Sequence, residues 1–206
     1  MFKGRRGLAV TAVASILCAI GWLGAAQVGI TSGMAGRETR SPGTPLAARL
    51  TSYSGGGSAP AATAPTASGQ GFWVASTDGS VTPEGDATSY GDASALQLAA
   101  PVVSIGATPS RRGYWLLGGD GGVFTFGDAR YYGSTGGIHL NGQALQIAGT
   151  PTGNGYWFVA RDGGVFTFGD ARFFGSTGAM RLNQPVVGMA ATPDGEGYWL
   201  VARDGG

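Results

Sequence analysis

Cysteine and histidine each occur once in the 206 residues. Cys18 lies inside an N-terminal hydrophobic run, so the chain beyond it has no means of forming disulfides or thiolate metal sites. His139 stands alone, which excludes an imidazole metal cluster. Charged residues make up only 12% of the chain, and the net charge is +1. That charge is unevenly spread. Residues 1–70 hold six of the thirteen basic groups and a single acid, Glu38, whereas residues 71–206 hold seven arginines and eleven acids. A mildly acidic C-terminal part lacks the basic stripe that phosphate binding needs, so no nucleic-acid partner is expected. No Gly-x-Ser-x-Gly elbow, paired His/Glu helix motif or phosphate loop occurs, and no cofactor is expected.

Glycine is what the chain has in excess, with 40 residues, roughly three times its usual share. So much glycine disfavours helix interiors and points to turn-rich β structure or flexible linker. Aromatics still reach 10%, too many for a disordered chain. A split chain follows, one part linker and one part densely turned sheet.

The N-terminus reads as an address. Lys3, Arg5 and Arg6 precede an apolar run over residues 8–26 that ends in Gly24, Ala25 and Ala26. This is the pattern of a secretory signal cleaved near Ala26. About 19 apolar residues is also close to the roughly 20 that span a bilayer, so an uncleaved anchor is the alternative, and then this segment alone meets the membrane. Either way the positive flank stays inside and residues beyond about 30 are exported, which predicts an extracellular or cell-surface location. Arg5-Arg6 by itself is a weak twin-arginine signal. Leu17 before Cys18 is too bulky for lipoprotein processing. Residues 27–70, with Ser54-Gly55-Gly56-Gly57-Ser58 and an Ala/Pro/Thr/Ser run over 59–70, bury too little to offset their ordering entropy and are expected to be a disordered linker.

The strongest signal is self-similarity at a fixed period. Gly71-Phe72-Trp73 recurs as Gly113-Tyr114-Trp115, Gly155-Tyr156-Trp157 and Gly197-Tyr198-Trp199, each step 42 residues. Asp78-Gly79, Asp120-Gly121, Asp162-Gly163 and Asp204-Gly205 keep the step, and run 120–130 repeats identically at 162–172. Units are therefore set at 71–112, 113–154 and 155–196, with 197–206 opening a fourth. Within a unit, Tyr156-Trp157-Phe158-Val159-Ala160 is aromatic and β-branched and suits a strand buried on both faces. Asp162-Gly163-Gly164 offers positive-φ residues for a hairpin turn, and Val165-Phe166-Thr167-Phe168 returns. Residues 173–175 make a short third strand and 185–191 a fourth. Four strands in 42 residues is the size of a propeller blade, so the expected class is all-β, an incomplete propeller-like array behind the N-terminal hydrophobic helix and linker.

The pattern GYWxVAxDGGxFxFGDAxFxGSTG followed by LNxPVVGMAATPDGxGYW, found over residues 155–199, resembles a tandem repeat of many exported bacterial proteins. The resemblance spans 71–206 and implies a propeller-like fold that often accompanies a hydrolase or wall-associated domain. The first copy departs from it, with Ser80-Val81-Thr82-Pro83-Glu84 in place of the Gly-Val-Phe-Thr-Phe run. A closed propeller needs about four to eight blades, more than these copies supply. Leaving about 400 Å² of apolar blade face in water would cost on the order of 10 kcal/mol at about 25 cal/mol per Å², so a fragment of a longer chain is expected.

Asp120 and Asp128, with their copies Asp162 and Asp170, are the tempting carboxylates for calcium or acid chemistry. Their recurrence in turn sequences favours turn bonding, and their spacing misses an EF-hand loop. Tyr131-Tyr132 and Phe173-Phe174, with Arg130 and Arg172, suggest a sugar platform or blade-to-blade packing. His139 aligns with Gln97 and Arg181, a variable and exposed position. No residue is assigned a catalytic, metal or cofactor role, and no ligand-binding set is specified. The expected function is a non-catalytic exported module that binds cell-wall polysaccharide or a protein partner. The alternative is the targeting arm of a larger secreted hydrolase. A solenoid of hairpins is a third reading, but no half-period near 21 residues is present.

Overall fold

The computed structural model describes residues 58–206; the expected signal or anchor at 1–26 and the linker through residue 57 lie outside the described residues. Eleven strands follow one another: β1 (Pro60–Pro65), β2 (Phe72–Ser76), β3 (Val81–Glu84), β4 (Val102–Ala107), β5 (Gly113–Gly118), β6 (Val123–Gly127), β7 (Ala144–Gly149), β8 (Gly155–Ala160), β9 (Val165–Gly169), β10 (Val186–Ala191) and β11 (Tyr198–Ala202). Among the described residues there is no helix. The described residues are all-β, as the composition predicts for the repeat region.

Every sheet is an antiparallel meander, in the orders β1-β2-β3, β4-β5-β6, β7-β8-β9 and β10-β11. The expected four strands are thus three, and the phase of the unit differs from the sequence reading. Residues 186–191 pair with the Gly-Tyr-Trp strand that follows them, and not with the one before. Structural units accordingly begin at the strand before each Gly-Tyr-Trp. That shift brings residues 60–65, read as linker, into the first sheet as β1. The reason is visible in the 42-residue alignment, where Pro60–Pro65 matches Val102–Ala107. Its small side chains suffice because Ala64 alone need be buried, and its prolines lie at the strand ends, where a missing N–H is tolerated. The divergent first copy also keeps its place, with Trp73 opposite Pro83 in the register that sets Trp115 opposite Thr125. A bulge recurs in every first strand, between Pro60 and Ala62, Val102 and Ser104, Ala144 and Gln146, and Val186 and Gly188.

The sheets stack face to face, and the core consists of the layers between them. Alternation along β5 sends Tyr114 and Leu116 into the layer with Trp73, Ala75 and Ile105. Trp115 and Leu117 enter the next layer, with Ile147, Tyr156 and Phe158. Trp157 and Val159 share a third layer with Met189, Tyr198 and Leu200. Each middle strand is therefore buried along its whole length, β5 and β8 without a single exposed residue.

Residues 131–133 and 173–175, expected to form a strand, are instead crossings pinned by side chains. The Trp115 indole donates to the Arg130 carbonyl at 2.8 Å and the Trp157 indole to that of Arg172 at 2.7 Å. From the next sheet, the Tyr156 hydroxyl donates to the Gly133 carbonyl and accepts the Tyr132 N–H. Tyr198 does the same for Gly175 and Phe174. With these backbone groups satisfied by the Trp of one sheet and the Tyr of the next, no ladder is required. The Gly of Gly-Tyr-Trp is dictated by close approach: a Cβ at Gly155 would lie 2.5 Å from the Phe168 carbonyl oxygen.

Candidate functional site

The recurring carboxylates are held inside the repeat. Asp120 and Asp162 each accept the N–H of the residue two further on, Gly122 at 3.0 Å and Gly164 at 2.9 Å. Of the expected positive-φ residues only Gly163 is one, at 84°; it follows a turn in which its N–H reaches the Ala160 carbonyl. Beneath that turn the Gly-Ser-Thr-Gly segment docks, through Thr177 N–H to the Gly163 carbonyl.

Asp128 and Asp170 do not bond nearby amides as expected. Thr108 Oγ1 donates to Asp128 at 2.9 Å and Ser110 Oγ to its other oxygen. Thr150 and Thr152 hold Asp170 in the same way, and Thr66 and Ser68 hold Asp86. In each of the three three-stranded sheets the clamp ties the tip of the first hairpin to the end of the third strand, a link across 20 residues that spacing alone does not reveal. Hydroxyls of Ser68 and Thr66 hold the Asp86 carboxyl below its usual range, and the Ser80 backbone N–H, followed by the Ser80 hydroxyl, does so for Asp78.

The hairpin tips of neighbouring sheets lie side by side. Tip 66–70 reads Thr-Ala-Ser-Gly-Gln, tip 108–112 Thr-Pro-Ser-Arg-Arg, tip 150–154 Thr-Pro-Thr-Gly-Asn and tip 192–196 Thr-Pro-Asp-Gly-Glu. The Arg111 guanidinium donates to the Pro65 carbonyl at 3.0 Å, joining the first two tips. A Cβ on Gly153 would lie 3.3 Å from the Pro109 ring, and one on Gly195 2.8 Å from the Pro151 ring, so the second, third and fourth tips touch as well. Between the second and third, a groove of about 590 Å³ opens, with Ser110, Asp128, Arg130, Thr152 and Asn154 along its walls. The row carries Arg112, Asn154, Asp194 and Glu196 exposed, a different chemistry on each tip. Sequence reading missed this row; the signal was available in the positions that vary between otherwise matching copies.

The aromatic pairs split. Tyr132 packs on Tyr156 with ring centroids 5.9 Å apart and donates to the Gly153 carbonyl, while Phe174 meets Tyr198 edge-on at 5.8 Å. The first member of each pair, Tyr131 and Phe173, faces solvent. Arg130 is exposed beside the groove, and Arg172 lies over the Phe174 ring at 5.9 Å. His139 is exposed. Among the described residues no group of three or more His, Cys, Asp or Glu side chains is placed to hold a metal.

No family model and no curated protein matches the chain. Among solved structures, the chain is similar to the β-propeller domain of Cps50 (Swd1) from Myceliophteria thermophila at 8% identity and a TM-score of 0.46. The match covers 71% of this chain and 49% of that one, so the chain spans about half the length of its structural neighbour.

Proposed function

We propose that the chain is a non-catalytic display module, an exported propeller-like stack of sheets that recognises a cell-wall polysaccharide or a surface protein through its row of hairpin tips. The observation that supports this reading most is the division of labour among polar residues. Those that recur every 42 residues, such as Asp120, Asp128 and Thr108, are engaged in turns and clamps. Those that differ between copies are presented together at one end of neighbouring sheets, where a rigid scaffold carries them. The hydrophobic N-terminal run and its basic flank support export.

Co-sedimentation of the full chain with purified peptidoglycan and wall polysaccharide is the test, run beside an assay for release of soluble fragments. Binding is expected without turnover, and the double substitution Arg112→Ala/Asn154→Ala is expected to weaken it about tenfold, a loss of about 1.4 kcal/mol. Fragment release by the purified chain would refute the reading, as would binding that ignores the tip substitutions.

A further inference from the structure

If the hairpin tips are the recognition surface, as proposed above, the groove between the second and third tips leaves open a contact that the next pair of tips makes internally. Arg130 and Arg172 are equivalent arginines one repeat apart. Each leaves a backbone fixed by an indole, Trp115 on the Arg130 carbonyl and Trp157 on that of Arg172, so both start from the same place on their sheets. Glu196, on the fourth tip, answers Arg172 with Oε2 3.5 Å from Nη1. The residue 42 positions earlier, on the third tip, is Asn154. Arg130 therefore shares its groove with a neutral amide where Arg172 meets a carboxylate, and it pairs with no acid among the described residues. The Asp128 carboxylate in the same groove is already engaged, accepting from Thr108 and Ser110 with Arg112 Nε 3.9 Å away. The Tyr132 hydroxyl lies 3.4 Å from Asn154 Oδ1, which leaves the Asn154 amino group as a donor for a ligand.

We infer that this groove binds the carboxylate of an acidic sugar, a uronic-acid residue of a polysaccharide, on the Arg130 guanidinium with Asn154 as a second donor. The ligand's carboxylate takes the place that Glu196 fills one repeat further on. An arginine fork matches the two oxygens of a carboxylate. A groove of about 590 Å³ has the size of a small-molecule site. Its further walls include Ser110, Thr152 and Gly153, short groups that suit a hydroxyl-rich ligand better than an apolar side chain. Because Arg130 is exposed, its contribution is that of a surface ion pair, modest and screened by salt.

The probes are tetragalacturonic acid and the neutral tetrasaccharide of galactose, each titrated calorimetrically into the full chain. The acid is expected to bind at least about fivefold more tightly at low salt, the scale of one exposed ion pair. The difference is expected to vanish in Arg130→Gln and at about 1 M salt. Asn154→Glu copies the fourth tip and is expected to abolish the preference too, by pairing with Arg130. The repeat already carries Glu196 at that position, so the fold tolerates the change, and circular dichroism checks it. Arg172→Gln is expected to keep the preference. Equal affinity for both sugars, no binding of the acid, or a preference that survives Arg130→Gln would overturn the site. Tighter binding of tetraglutamate than of tetragalacturonic acid would overturn the ligand class in favour of an acidic protein. Wall polysaccharide that sediments the chain without any preference for the acid would sink this groove and spare the row of tips. Acid binding through Arg130 with no wall binding would do the reverse.

Discussion

At the scale of single residues, Arg111 is the position where the repeat departs from its own rule. It has φ 56°, the left-handed region, at the place where Gly69, Gly153 and Gly195 have φ 69°, 74° and 74°. Its side chain fits because the preceding tip carries Ala67 there, whereas Gly153 and Gly195 pack on the rings of Pro109 and Pro151. The left-handed backbone costs a residue with a Cβ on the order of 1 kcal/mol, and the bond to the Pro65 carbonyl partly offsets it. Arg111→Ala keeps the strain and loses the bond, while Arg111→Gly loses both. The Gly variant is therefore expected to be more stable than the Ala variant by about 1 kcal/mol, the reverse of the order at an ordinary position. Chemical denaturation of the two variants compares them directly. None of this was legible from position 111 alone. Alignment of the four tips shows the Gly-to-Arg change, but only the backbone angle gives it a consequence.

At the scale of elements, the middle strands β2, β5 and β8 are the most deeply packed, because both of their faces are covered. Trp157 sits between two sheets and anchors the crossing at Arg172 through its indole N–H. Trp157→Ala is expected to cost about 3–5 kcal/mol through transfer and cavity terms, plus the orphaned carbonyl. Trp199 has the same place in the repeat, yet is 60% exposed, so Trp199→Ala is expected to cost less than about 1 kcal/mol. Thermal unfolding of the two variants, followed by far-ultraviolet circular dichroism, reads the contrast. Equal losses would mean that the β11 face is covered in solution. The strand sequences Val165–Gly169 and Gly155–Ala160 announced themselves through β-branched and aromatic content. Pro60–Pro65 did not, since an Ala/Pro/Thr segment has the composition of a linker and becomes a strand only because β2 offers it a partner.

At the scale of the whole molecule, identical layers respond together to a change of medium. Tyr114 and Tyr156 occupy the same position in successive layers, and burial raises both hydroxyls above their ordinary value of 10.0. A tyrosine whose folded pKa is raised contributes stability that is fully present below the unfolded value and is lost as pH climbs through the folded one. Stability set by these groups is expected to hold up to about pH 10 and then to fall. Urea midpoints of Tyr114→Phe/Tyr156→Phe across pH 8 to 11 are expected to be lower at the start, for want of the bonds to Gly91 and Gly133, but to decline less steeply. By itself the sequence determined the period, the β class of the repeat region and the burial of β2, β5 and β8, because these follow from side-chain chemistry that recurs every 42 residues. The tertiary structure alone decided where a unit begins, that the three full sheets have three strands and not four, and that Asp128 reaches Thr108 and Ser110. Those outcomes depend on which neighbour satisfies a backbone group or a carboxylate, and a periodic pattern is the same for every choice of starting point.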